Sequence, residues 1–281
     1  MKLFSKKQVK LAAGLGLLFS LCTISSSEKV YAEEACSVNP SSLTDDCYLT
    51  PVTYKVTIYE MGLCTSDPLS GILTVAPFTA DPTIDDSSCI PTFQSSSGAT
   101  VDLAGGSTKN LVGKNIRPKT GTYPYGYIKM SNTWGLKGSY KINNQTYYSK
   151  SDGTPGNEGD YSEFDFTMVD FVNGNTCSTN PDYTGFETFT TGITGTIKAS
   201  IATVSGGNLG TYNATSPSAC GTSQHLFASF TPTSPVVIKD STQGLQANFT
   251  ITDSGLYVED SAGGLIDTFG AGPFRLTFST F

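Results

Sequence analysis

From residue 52 onward, apolar and polar side chains alternate in short runs. In 52–59, Tyr54, Val56 and Ile58 share one face, and Lys55, Thr57 and Tyr59 share the other. A period of two is that of a half-buried β-strand. Further runs rich in Val, Ile, Thr, Tyr and Phe lie at 72–78, 99–103, 122–130, 136–142, 162–171, 195–204, 225–230, 236–239, 245–251, 256–258 and 274–281. Turn pairs such as Asn143-Asn144, Asp152-Gly153, Asn173-Gly174, Gly206-Gly207 and Ser254-Gly255 separate them. No helical period of 3.6 is sustained anywhere. The pattern predicts an all-β chain built as an antiparallel β-sandwich. Residues 151–160 carry clustered Gly and Pro between two β-rich stretches. They read as a linker or loop between tandem modules at 33–150 and 161–281, or as a long loop within one larger sandwich.

Composition agrees with this and adds a compartment. The chain has 281 residues, 16 Phe, 14 Tyr and only 15% charged residues. Such aromatic content can bury a core, while good helix formers are scarce. Residues 1–32 have the form of a secretory signal peptide. Lys2, Lys6, Lys7 and Lys10 precede an apolar stretch at 11–24, and Val30-Tyr31-Ala32 offers a small-x-small cleavage site. The expected location is secreted, periplasmic or cell surface, with no membrane span in the mature chain. Beyond the leader six cysteines remain: Cys36, Cys47, Cys64, Cys89, Cys177 and Cys220. An even count in an exported chain predicts disulfides. Fifteen connectivities are open; neighbour pairing, Cys36–Cys47, Cys64–Cys89 and Cys177–Cys220, closes local loops and is the expected set. No spacing is CxxC, the pattern of thiol redox chemistry.

Charge divides the chain into blocks. Residues 33–102 hold one basic and ten acidic side chains, 103–151 eight basic and none acidic, and 152–281 three basic and thirteen acidic. The net charge of residues 33–281, −11, disfavours nucleic acid as a partner. The basic block is also aromatic. Tyr123, Tyr125 and Tyr127 alternate, and Lys129, Trp134 and Lys137 follow. These six residues are the candidate ligand site, a platform that could stack on sugar rings and attract an anionic polysaccharide. The competing reading makes the tyrosine stripe core, with lysines solvating the opposite face. A third outcome of the charge blocks is self-association, the basic strip of one copy meeting acidic surface on the next.

Residues 52–148 also resemble prealbumin-like β-sandwich domains of secreted bacterial surface proteins. The features that carry this are the opening strand YKVTIYEMGLC at 54–64, an apolar strand at 110–116, and a turn in which Pro118, Gly121 and Tyr123 lead into the alternating run. The resemblance implies a stalk, adhesin module or carbohydrate-binding appendage. Some related domains carry a Lys–Asn isopeptide bond, for which Lys55 is the lysine in place. Its alternation with Tyr54 and Val56 instead puts it on the solvent face.

Candidate chemistry is sparse. Asp152, Asn157, Glu158 and Asp160 could supply oxygen ligands to calcium, or simply solvate the 151–160 loop. Glu163, Asp165 and Asp170 are the carboxylates a secreted hydrolase could use; Asp165 alternates with Phe164 and Phe166 and should face solvent. His225 is the single histidine, and no G-x-S-x-G elbow accompanies it. The C-terminal run FRLTFSTF alternates in the wrong phase for an outer-membrane barrel strand. The expected function is therefore an exported structural or adhesive protein without catalysis. A polysaccharide-binding module is the alternative and a hydrolase the weakest reading.

Overall fold

The computed structural model describes residues 34–69, 84–106, 108–168, 187–190, 195–205, 208–211 and 225–281. The expected leader, the run at 72–78, Asp170, Cys177 and Cys220 lie outside the described residues. Within them the fold is all-β. In chain order the strands are β1 (Cys47–Leu49), β2 (Thr53–Cys64), β3 (Cys89–Asp102), β4 (Lys114–Asn115), β5 (Gly121–Tyr123), β6 (Tyr125–Ser131), β7 (Thr133–Lys137), β8 (Ser139–Ile142), β9 (Gln145–Ser149) and β10 (Pro155–Gly156). There follow β11 (Phe164–Thr167), β12 (Glu187–Thr190), β13 (Gly195–Ser205), β14 (Asn208–Thr211) and β15 (His225–Pro232). The last five are β16 (Val236–Ile238), β17 (Leu245–Thr250), β18 (Leu256–Asp260), β19 (Ile266–Ala271) and β20 (Arg275–Thr280). A 3₁₀ turn at Glu158–Asp160 is the helical element among the described residues. No helix there is long and apolar enough to cross a membrane.

A ten-stranded sheet organises the molecule, in the order β11-β7-β2-β6-β15-β13-β12, with β3, β4 and β14 attached at its margins. Smaller antiparallel sheets, β1-β18-β19, β8-β9-β10, β5-β16 and β17-β20, complete it. Strand pairing runs across residues 151–160 rather than stopping there: β15 pairs β6, β16 pairs β5 and β18 pairs β1. The main core lies between one face of the large sheet and the small sheets. Tyr54, Val56 and Ile58 of β2, Ile128 and Met130 of β6, and Trp134 and Leu136 of β7 pack there with Leu256 and Val258 of β18 and Phe269 of β19. A side chain of this size contributes about 1.5–3 kcal/mol when fully buried. Lys55 faces away from this core, as its alternation predicts, and ion-pairs with Glu163 at an exposed position.

Local chemistry breaks two expected strands. The run 122–130 is cut at Pro124, which has no N–H to give a ladder, so β5 leaves the large sheet and pairs β16. The run 136–142 is cut at Gly138, where a Cβ would sit 2.3 Å from Leu256 Cδ2. The expected apolar strand at 110–116 reduces to Lys114–Asn115. β3 is longer than its alternating part, because 89–94 also pairs β2, and the two stretches are separated by a bulge ending at Gly98, whose φ is +79°.

Candidate functional site

The other face of the large sheet carries a polar cluster, and the disulfides explain its cover. Cys36–Cys47 and Cys64–Cys89 form as expected from neighbour pairing. The second joins the ends of β2 and β3 and closes a loop whose described ends, 65–69 and 84–88, lie against this face. Leu69 from that loop is fully buried with Cys64, Tyr127 and Phe227. The rings of Tyr127 and Phe227 stack at 5.6 Å with planes 14° apart. Gly62 makes room for the Tyr127 ring, which a Cβ there would meet.

Antiparallel register then places the charges. Glu60 of β2 stands opposite Gln94 on β3 and opposite Lys129 on β6. Tyr127 Oη donates to Glu60 Oε1 at 2.7 Å, and Gln94 Nε2 donates to Oε2 at 2.7 Å. Lys129 Nζ lies 3.0 Å from Glu60 and 3.0 Å from Asp86 of the loop. Lys198 pairs with Asp67 of the same loop, and Ser229 Oγ donates to Asp67 at 3.3 Å. Burial opposes charge on Glu60, but the hydrogen bonds from Gln94, Tyr127 and Lys129 outweigh it and hold the carboxyl below its ordinary range. Burial likewise opposes charge on Lys129, and its hydrogen bonds to Asp86 and Glu60 hold it above its ordinary value. Tyr127 is raised by burial and by Glu60. His225 packs on Tyr59 at 4.5 Å and is lowered by burial and by nearby Lys129.

The six residues expected to form an aromatic platform separate. Tyr123 is 3% exposed, Tyr127 2% and Trp134 2%, so three of the rings are interior. Tyr123 donates to Lys119 O at 2.8 Å and packs with Leu63, Val236 and Ile238. Trp134 packs on Tyr54 in the main core, and its Nε1 donates to Ser131 O. Tyr125 is half-buried beside Tyr127, and Lys129 belongs to the ion cluster. Lys137 lies elsewhere, 4.0 Å above the ring of Tyr161, which contacts Tyr148.

The expected calcium ligands do not converge. Asp152 turns back to accept from the Thr154 N–H and hydroxyl, while Asp160 accepts from the Asn157 N–H. No group of three His, Cys, Asp or Glu among the described residues is placed to hold a metal ion. Glu163 is engaged with Lys55, and Asp165 faces solvent.

A second charged surface escaped the sequence reading. Asp45, Asp46, Glu259, Asp260 and Asp267 gather on and beside β1, β18 and β19. Burial raises Glu259, and Asp46 and Asp267 raise it further. Asp260 is raised by burial, Asp46 and Asp45. The signal was present as acidic pairs, Asp45-Asp46 and Glu259-Asp260, but their proximity depends on the β1–β18 pairing. Compared with known proteins, the chain matches no family model, no curated protein and no solved structure.

Proposed function

We propose that this chain is an extracytoplasmic structural or adhesive protein that works by association of its surfaces with other copies of itself. The observation that carries the reading is exposed charge of opposite sign standing on different elements. Lys109 and Lys114 stand exposed beside the edge of β3, while five carboxylates gather on the β1-β18-β19 side. The buried-face cluster supports it from the other direction. Lys129, with carboxylates on two sides, is held charged and hydrogen-bonded, which suits a structural tie rather than a nucleophile or base. Surface charges of this kind steer association and lose force as salt screens them, over about 10 Å at 0.1 M but about 3 Å at 1 M. Sedimentation velocity across protein concentration should show assemblies at low salt that dissociate at high salt. A chain that stays monomeric at high concentration and low salt overturns the reading.

A second reading, binding of an anionic polysaccharide, is supported by the half-buried pair Tyr148 and Tyr161 with Lys137 beside it. Retardation in gels containing the polysaccharide, lost in Tyr161→Ala, would favour it.

A further inference from the structure

Resting on the self-association reading, we infer that the groove along the outer edge of β3 in one copy receives the acidic β18–β19 turn of another. On its inner side β3 pairs β2 along most of its length, but on its outer side β4 pairs only Phe93 and Gln94. Among the described residues, 98–102 has no ladder partner on that side. The chain turns away after Asp102, whose carboxylate accepts from the N–H groups of Tyr54 and Ala104. It returns through 109–112 without pairing. At Gly113 it is pressed against β3 again, so closely that a Cβ would lie 2.5 Å from Gln94 O. Pinned at both ends and open between, the loop leaves a cavity of about 370 Å³, lined by Thr100, Asp102, Lys109, Asn110 and Val112 among others, with the Asp102 carboxylate held by its two N–H donors. Val112 is 85% exposed. Lys109 and Lys114 are exposed and have no ion-pair partner among the described residues.

An open strand edge is a site at which proteins add other chains. Its rim sets what chain it takes. Here the rim offers two cations around one exposed apolar side chain. The β18–β19 turn offers the complement: Leu265, 46% exposed, among Asp45, Glu259, Asp260 and Asp267. An anionic polymer on the lysines would leave the carboxylates repelling one another. A second copy relieves both surfaces in one contact. Because the two surfaces consist of different residues, the contact is heterologous, and its repetition builds a chain or ring rather than a closed dimer.

A charge swap tests this on the full-length protein. Lys109→Glu with Lys114→Glu makes the groove acidic, and Asp45→Lys with Asp267→Lys makes the turn basic; all four side chains are exposed. Each double variant alone should associate at least about tenfold more weakly than wild type by sedimentation velocity, because like charges then face each other. An equimolar mixture should recover association, since each variant's altered surface now fits the other's. If wild type assembles but either variant assembles equally well, or the mixture fails to recover, the inference is overturned while self-association stands. If wild type stays monomeric, both fall. Carbodiimide cross-linking of mixed isotope-labelled wild-type chains needs no variant. It should join Lys109 or Lys114 of one copy to Asp45, Glu259, Asp260 or Asp267 of another, and cross-links only elsewhere would overturn the inference.

Discussion

Glu60 and Glu259 both sit on strands at partly buried positions, one on β2 and one on β18, and their surroundings are opposite. Glu60 has a donor on either side in the sheet, Gln94 on β3 and Lys129 on β6, with Tyr127 donating from two residues away on β6. Glu259 has Asp46 and Asp267 within electrostatic reach. The first carboxyl is therefore held below its ordinary range and the second above it. What separates them is the charge of the neighbouring groups rather than burial, which opposes charge at both. A fold that neutralises one acidic site and leaves the other repelling has spent its lysines in one place and left its carboxylates for something else.

The largest way to break the closed region is through its rings. Tyr127→Ala removes the stack on Phe227 and one donor to Glu60, and should cost about 3–5 kcal/mol in chemical denaturation. A loss below about 1 kcal/mol would mean that this face is not packed as described. Opening the Cys64–Cys89 link comes next. For a loop of 25 residues, the lost chain entropy is worth about 3.5 kcal/mol. Cys64→Ala with Cys89→Ala should lower the melting temperature and also weaken the Lys129–Asp86 and Lys198–Asp67 ties, which the loop delivers.

Glu60→Gln is a smaller and more diagnostic change, expected to cost about 1–3 kcal/mol by leaving Tyr127 and Lys129 without their charged acceptor. Its pH dependence has a fixed sign. A carboxyl held below its ordinary value stabilises the fold above the unfolded-state value, near 4.3 for Glu, and loses that contribution as pH falls toward the folded-state value. The gap between wild type and variant should therefore be full at pH 7 and narrow below about pH 5. A gap independent of pH would mean that Glu60 acts through shape and not charge.

Much of this comparison was legible in the sequence and its decisive part was not. Alternation placed Tyr54, Val56 and Ile58 in the core and turned Lys55 and Asp165 to solvent. Neighbour pairing gave both disulfides among the described residues. The same alternation put Tyr123, Tyr125 and Tyr127 on one face, but Pro124 moves Tyr123 into another sheet, and a period of two cannot say whether a second face is also covered. Here the described ends of the disulfide loop cover it. Glu60 carries no local signal, because its partners at 94, 127 and 129 are set by the register across β3, β2 and β6, which no local pattern encodes. The 151–160 segment, rich in Gly and Pro, reads locally as a break. The long-range pairs β6–β15 and β1–β18 pass over it all the same.

The mildest change sharpens the comparison most, because its sign is reversed. Glu259→Gln removes one carboxylate from the group formed with Asp45, Asp46, Asp260 and Asp267. A carboxyl held above its ordinary value binds its proton more readily in the folded chain than in the unfolded one. Its charge therefore destabilises the fold increasingly as pH rises through about 4.3, the ordinary value for Glu, and fully above the raised folded-state value. The variant should match wild type near pH 3.5 and exceed it at pH 7, by no more than about 0.5 kcal/mol because the site is half-open to screening solvent. Thermal melts at low protein concentration, where copies do not meet, isolate this effect, and added salt should shrink it. A variant less stable than wild type at neutral pH would show that Glu259 is held by an attraction. The acidic surface would then have no unrelieved repulsion for a partner's lysines to remove.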